Sequence, residues 1–180
     1  MTRRRVVITG LGIVSPVGNT VEEAWQNILA GRSGIAHVTK FDASTFPAQI
    51  AGEVKNFDIT DYISAKDARR MDTFIHFGVA AGIQAVRDAG LDKENAADLE
   101  RVGVAIGSGI GGLPLIEETK EEYLAGGIRK VSPFFVPGSI INMISGNLSI
   151  MFGFKGPNIA HVSACTTGTH SIGEASRIIE

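Results

Sequence analysis

The segment over residues 74–89 constrains the fold more than any other, because it has a helical pattern and is almost entirely apolar. Its polar residues fall on one narrow face of a helix, and they are His76, Gln84, Arg87 and Asp88. A helix with so little polar surface is stable only when other elements cover it. The segment therefore predicts a helix that is buried over nearly all of its surface.

Short apolar strands alternate with helices along the rest of the chain. Strands are predicted over residues 6–14, 101–107 and 158–164. Helices are predicted over residues 21–30, 115–124 and 140–152, and from Thr166 onward. The first of these has Thr20 as its N-cap and Gly31 as its stop, and it leads into an irregular surface segment over residues 33–60. The alternation predicts an α/β fold, in which a parallel sheet has helices on both faces.

Composition and charge exclude several classes of protein. Of the 180 residues, 44% are hydrophobic and 20% are charged, which is typical of a packed globular domain and not of a disordered chain. The 17 Lys and Arg residues nearly balance 19 Asp and Glu residues, so we expect no general attraction to nucleic acid or to an anionic membrane. No uninterrupted apolar run of about 18 residues is present, so no membrane span is predicted.

The cysteine content and the two ends of the chain bear on its location and completeness. A single cysteine, Cys165, excludes an intramolecular disulfide and favours a cytoplasmic protein. The basic residues at 3–5 and the apolar run after them resemble a secretory signal. Glycines and a proline interrupt that run, and no cleavage pattern follows, so a buried strand fits better. Residues 174–180 continue a helical pattern without a stop signal, which predicts that the chain is part of a longer one.

A glycine-rich loop over residues 107–112 follows the second predicted strand and matches the pattern G-x-G-x-x-G. In a dinucleotide-binding unit, a second strand ending in an acidic residue would follow about 20 residues later. Here the next stretch, residues 117–122, has the pattern of a helix face and carries four acidic residues, which would repel phosphates. We therefore interpret the glycines as positions where backbone segments pack closely.

The only cysteine lies between the third predicted strand and the following helix, among small residues. Small neighbours allow a tight strand-to-helix turn that presents a side chain, as in nucleophile elbows, and the helix N-terminus favours a thiolate. The alternative is a buried structural cysteine. His170 is the nearest histidine in sequence, but five residues downstream it is expected to point away from the thiol.

Five blocks of sequence together resemble one enzyme family. They are residues 6–18, 107–112 (GSGIGG), 132–137 (SPFFVP), 155–158 (KGPN) and 164–168 (ACTTG). In order and spacing they are similar to the N-terminal half of β-ketoacyl-[acyl-carrier-protein] synthases, and most closely to the elongating enzymes of type II fatty-acid synthesis. The resemblance extends over essentially the whole chain.

The resemblance implies a fold and a reaction. The family has the thiolase-like fold, two related α/β halves in a layered α/β/α/β/α arrangement, of which residues 1–180 would be most of the N-terminal half. Cys165 would be the nucleophile that accepts an acyl chain, and its backbone N–H would be one donor of the oxyanion hole. Decarboxylated malonyl-carrier protein would then attack the acyl group. The two histidines that the family also needs lie in its other half, so we expect residues 1–180 alone to be inactive.

The same resemblance implies further site residues and partners. Ile110 and Ala164 match positions beside the acyl pocket, and Phe135 matches a residue near the partner subunit's pocket. The basic residues that would dock the acidic acyl carrier protein are Lys66, Arg69 and Arg70. A homodimer would associate around residues 158–163. No metal and no cofactor of the chain's own is expected, since the carrier's phosphopantetheine delivers the acyl groups.

Alternatives to fatty-acid elongation remain open at this stage. A polyketide-type or mycolic-type ketosynthase shares every motif quoted above. A noncatalytic ketosynthase-like subunit that sets chain length typically lacks the nucleophile, so Cys165 argues against it. Thiolase itself fits less well in the blocks around residues 134–135 and 165.

Overall fold

The computed structural model describes residues 4–91 and 98–180 of the chain. The helices are α1 Val21–Leu29, α2 Ala65–Ala68, α3 Thr73–Asp88, α4 Leu113–Gly126, α5 Phe135–Ser139, α6 Met143–Phe152 and α7 Thr167–Ile179. Short 3₁₀ turns cover Ile59–Asp61, Leu99–Arg101, Ile128–Lys130 and Ala164–Thr166. Every predicted helix is present with its ends displaced by at most three residues, and the Thr20 side chain caps α1 by accepting a hydrogen bond from the Glu23 N–H.

The strands are short and form two separate pairs. Strands β1 Ala36–His37 and β2 Ile50–Ala51 are antiparallel, within the segment that was expected to be irregular. Strands β3 Val104–Ala105 and β4 Asn158–Ile159 are parallel, with Val104 opposite Asn158. The parallel pair agrees with the predicted parallel arrangement, for the two strands that precede the glycine loop and the cysteine.

The core lies between α3 and α6. Ile75, Val79 and Ile83 on α3 are almost completely buried, and they belong to one apolar cluster with Ile144 and Leu148 of α6. Burial of each such side chain contributes about 1.5–3 kcal/mol to the stability of the fold. The predicted helix is present, and its buried face lies in the core; most of its other residues are half-buried, so burial over nearly all of its surface is not observed.

Two glycines of α3 allow α6 to approach closely. A Cβ atom at Gly78 would lie 2.6 Å from two side-chain carbons of Ile144, and one at Gly82 would overlap the side chain of Leu148. Real Cβ atoms do not approach other atoms so closely, so alanine at either position would force the α6 side chain or the helix itself to shift. Because the glycines are four residues apart, they form a groove along one face of α3.

The N-terminal segment packs along α3 and does not form the predicted strand over residues 6–14. The backbone N–H of Leu11 donates to the Asp88 carboxylate at 2.8 Å, and that of Ile13 donates to the Gln84 side chain at 3.3 Å. A Cβ atom at Gly12 would overlap the α3 backbone. The segment therefore hydrogen-bonds to helix side chains instead of to a neighbouring strand, which is why the prediction of a strand is wrong.

None of the helices in the described ranges, 4–91 and 98–180, is both long enough and apolar enough to cross a membrane.

Candidate active site

The cysteine lies in a tight turn between β4 and α7. Cys165 is exposed, and it is the middle residue of the 3₁₀ turn Ala164–Thr166 that leads directly into α7. Ala164 has a φ of 52°, in the left-handed region that residues with a side chain rarely adopt. A strained turn that exposes the thiol agrees with the predicted nucleophile elbow, and the exposure excludes a buried structural cysteine in this structure.

Three side chains hold Ser163, the residue before this turn. The Ser163 N–H donates to the Thr167 hydroxyl at 3.0 Å, and the Thr166 hydroxyl donates to the Ser163 carbonyl at 2.7 Å. The Nδ1 atom of His170 is 2.6 Å from the Ser163 hydroxyl. The backbone and the side chain of Ser163 are thus both fixed from the helix that follows Cys165.

The glycine loop lies directly against the cysteine turn. A Cβ atom at Gly107 would overlap the carbonyl oxygen of His161, and one at Gly109 would lie 3.5 Å from the carbonyl oxygen of Ala164. These contacts place the end of β3 against the chain on both sides of Ser163. They support the interpretation that the first glycines serve close backbone packing.

The other end of the glycine loop contacts α5. The Gly112 N–H donates to the Ser139 carbonyl at 2.9 Å, and Gly111 has a φ of 92°, which favours glycine. A Cβ atom at Gly111 would lie 2.8 Å from the same carbonyl oxygen. The loop therefore joins the cysteine turn to the helix that carries the half-buried Phe135.

Asp72 ties three segments together beneath this loop. Its carboxylate accepts hydrogen bonds from the N–H of Phe74, in the first turn of α3, and from the N–H of Leu115, in the first turn of α4. Its own N–H donates to the Gly138 carbonyl at 3.1 Å. Because Asp72 is only 7% exposed, each of these bonds is shielded from water.

The predicted docking residues lie where α2 ends. Lys66 is on α2, Arg69 is its C-cap, and Arg70 follows in a turn, so the three do not lie on one continuous helix. The Arg70 guanidinium lies 4.2 Å from the centre of the Phe134 ring, a cation–π contact. Arg69, Arg70 and Phe135 line one cavity of about 180 Å³.

The predicted site residues thus form two groups joined by the glycine loop. Ala164 and Cys165 share the turn, and Ile110 is in the loop beside it, with its side chain 74% exposed. Phe135 lies with the arginines at the far end of the loop.

Asp72 and the contact between His170 and Ser163 were not predicted from the sequence. Asp72 precedes an apolar helix, and that position is a recognisable N-cap signal. His170 gives no such signal, because its partner Ser163 is seven residues earlier and the contact depends on how the turn folds. Another histidine, His76, has a structural contact, with Nε2 2.9 Å from the Ala68 carbonyl.

Lowered pKa values occur outside this site. A hydrogen bond from the Thr39 hydroxyl holds the pKa of Glu53 below its usual value, and the Thr60 hydroxyl does the same for Asp58. The Ser44 N–H lowers the pKa of Asp42. Within the parts of the chain that the structure describes, no group of three or more His, Cys, Asp or Glu residues could hold a metal ion.

The sequence matches the family model "Beta-ketoacyl synthase, N-terminal domain" over residues 3–180. The chain belongs to the β-ketoacyl synthase family. It is 60% identical to 3-oxoacyl-[acyl-carrier-protein] synthase 2 of Vibrio harveyi, over 99% of this chain and 43% of that protein. The proteins of the same name from Coxiella burnetii and Staphylococcus aureus are 55% and 51% identical, and this chain covers 43% and 42% of them. The chain therefore spans less than half the length of these β-ketoacyl synthases.

Solved ketosynthase structures have the same fold over this length. A β-ketoacyl synthase from Burkholderia phymatum aligns with 98% of this chain, and the aligned part is 44% of that synthase. The TM-score is 0.81 and the sequence identity is 27%. A second similar structure is a type II polyketide ketosynthase, solved with its acyl-carrier protein and bound to the hexaketide. It aligns with 98% of this chain, and the aligned part is 47% of that ketosynthase, with a TM-score of 0.78 and 25% identity. The predicted thiolase-like fold is thereby confirmed, with this chain as the N-terminal portion.

The glycine loop offers a matched pair of substitutions. We expect Gly107→Ala to lower the free energy of unfolding by about 1–3 kcal/mol, because the new Cβ overlaps the backbone carbonyl of His161. Gly109→Ala should change it by less than about 0.5 kcal/mol, because its Cβ would make only ordinary contacts with Ala164. Urea unfolding of the complete polypeptide measures both. If both variants lost the same free energy of unfolding, close packing at Gly107 would not be the reason for its glycine.

Proposed function

We propose that the chain is the nucleophile-bearing part of a 3-oxoacyl-[acyl-carrier-protein] synthase, an acyltransferase that lengthens fatty acyl chains. The observation that carries this proposal is the exposed thiol of Cys165 on a strained turn between β4 and α7. The 60% identity to a synthase of this name supports the same reaction.

The first half-reaction transfers the acyl chain to the protein. The Cys165 thiolate attacks the thioester carbonyl of an acyl group held on the carrier's phosphopantetheine. A bond forms between Sγ and the acyl carbon, the bond to the carrier's sulfur breaks, and the carrier thiolate leaves and takes up a proton. The N-terminus of α7, 13 residues long, supports negative charge at this turn.

The second half-reaction forms the carbon–carbon bond. A malonyl group on a second carrier loses carbon dioxide, and the resulting carbanion attacks the acyl carbonyl on Cys165. The thiolate of Cys165 leaves, and the product is a β-ketoacyl group two carbons longer. The family uses two histidines in this step, and none of the four histidines in residues 1–180 lies in a family histidine motif.

Three residues are proposed to contact the acyl chain. Ile110 and Ala164 belong to the two segments that meet beside Cys165, and Phe135 lies at the other end of the glycine loop. Their side chains are apolar, which suits a fatty chain. The large exposed fraction of Ile110 supports a pocket whose other wall comes from elsewhere in the complete protein.

The proposed macromolecular partners are acyl carrier protein and a second copy of the chain. The basic side chains of Lys66, Arg69 and Arg70 would attract an acidic carrier. A homodimer through residues 158–163 is supported by β4, which pairs only with β3 among the described strands. We place the reaction in the cytoplasm, where thiols stay reduced. The phosphopantetheine arm of the carrier makes a further cofactor unnecessary.

Fatty-acid elongation is better supported than polyketide synthesis. The relatives at 51–60% identity are 3-oxoacyl-[acyl-carrier-protein] synthases, whereas the polyketide ketosynthase is 25% identical. The presence of Cys165 argues against a noncatalytic chain-length subunit.

A condensation assay tests the proposed function. The complete polypeptide should convert acyl-carrier protein and malonyl-carrier protein to a β-ketoacyl product, and Cys165→Ala should abolish this activity. Residues 1–180 alone should give no product, because the family histidines are missing. Full activity of Cys165→Ala, or robust turnover by residues 1–180, would contradict the proposal.

Charge reversal tests the docking surface. Lys66→Glu with Arg69→Glu should raise the KM for acyl-carrier protein about three- to tenfold and leave the reaction with a small pantetheine thioester unchanged. Arg70 is left intact because its guanidinium packs on Phe134. The control is Arg87→Glu, an exposed arginine in the last turn of the 16-residue helix α3, at the end away from Arg69. Equal loss with both substrates would refute the docking role.

A further inference from the structure

Ser163 is the residue through which the cysteine turn is attached to α7. Its N–H, its carbonyl and its hydroxyl contact Thr167, Thr166 and His170 respectively. Thr166 is the last residue of the turn and Thr167 is the first residue of α7, so their bonds to Ser163 are local. The bond to His170 is different, because it reaches back seven residues from within α7.

Cys165 lies in the segment that the contact between Ser163 and His170 closes into a loop. At 2.6 Å between Nδ1 and Oγ it is the shortest of the three contacts to Ser163, and the residues between its partners include the whole turn from Ala164 to Thr166. His170 therefore does not face the thiol with this nitrogen, since Nδ1 is engaged by Ser163. The effect of this nitrogen on Cys165 passes through the position of Ser163.

The strain at Ala164 explains why such a contact is needed. A residue with a side chain is strained at a φ of 52°, and it keeps this conformation only when its surroundings fix it. The preceding residue, Ser163, is the point at which the three side chains act. Without the His170 contact, the hydroxyl of Ser163 is free to rotate and the turn can relax.

We infer that His170 is a positioning residue, which holds the Cys165 thiol in its reactive place through the Ser163 hydroxyl. The inference rests on the proposed function, in which this thiol attacks an acyl thioester. A misplaced nucleophile lowers the rate of the chemical step more than it weakens substrate binding. Loss of the contact should therefore lower the maximal rate of Cys165 acylation and leave the half-saturating substrate concentration nearly unchanged.

The test measures single-turnover acylation of Cys165 in the complete polypeptide with acyl-carrier protein. His170→Phe removes Nδ1 and keeps a ring of similar size, and we expect the maximal rate to fall about tenfold. His170→Asn offers an amide in place of Nδ1, so it should recover at least half of the wild-type rate. His37→Phe is the control, because His37 is exposed on β1 and outside the site.

A double-mutant cycle distinguishes positioning from general damage. Ser163→Ala removes the other partner of the contact, and it should slow acylation about as much as His170→Phe. The double variant should be no slower than either single variant by more than about twofold, because both changes break the same contact. If His170→Phe does not fold, the other two variants still test the inference. Ser163→Ala should acylate Cys165 slowly, and His170→Asn should acylate it at half the wild-type rate or faster.

The results against the inference are specific. Rates that multiply in the double variant, equal losses in His170→Phe and His170→Asn, or a wild-type rate in Ser163→Ala would each overturn it. If wild-type protein forms no acyl-Cys165 at all, the proposed function fails first. If wild-type protein is acylated and His170→Phe is as fast, only the positioning role fails.

Discussion

The close approach of backbone to α3 is the constraint on which the rest of the structure depends. Gly12 of the N-terminal segment packs against the backbone of α3, and Gly78 and Gly82 of α3 pack against side chains of α6. A Cβ atom at any of the three positions would force its neighbours to shift, next to the apolar cluster around Ile75. Small residues at the contacts therefore fix the position of α3, and α3 in turn fixes the position of Asp72 at its start.

The candidate site is assembled from segments held by backbone contacts. At the start of α3, Asp72 binds the first turn of α4 and the end of α5, and the glycine loop lies between these helices and the cysteine turn. Because Gly107 allows the end of β3 to pack against the chain before this turn, Cys165 is positioned from one side by the sheet and from the other by α7. Rigid backbone on both sides is what a nucleophile on a strained turn requires.

Sequence patterns predicted what local propensity determines. The helix ends, the cap at Thr20 and the turn at Cys165 all depend on residues close together in the chain. The strand over residues 6–14 was wrong, because an apolar β-branched run does not reveal that its amides bond to side chains of α3. The contact of His170 could not be predicted either, since it exists only once the strained turn has folded.

The central claim is that Cys165 carries the acyl chain between the two half-reactions. The most direct measurement is peptide mass spectrometry of the complete polypeptide after mixing with acyl-carrier protein, before and after addition of malonyl-carrier protein. The account predicts one acyl group, on the peptide that contains Cys165, and its loss as the β-ketoacyl product forms. An acyl group on another residue, or one on Cys165 that malonyl-carrier protein does not discharge, would contradict it.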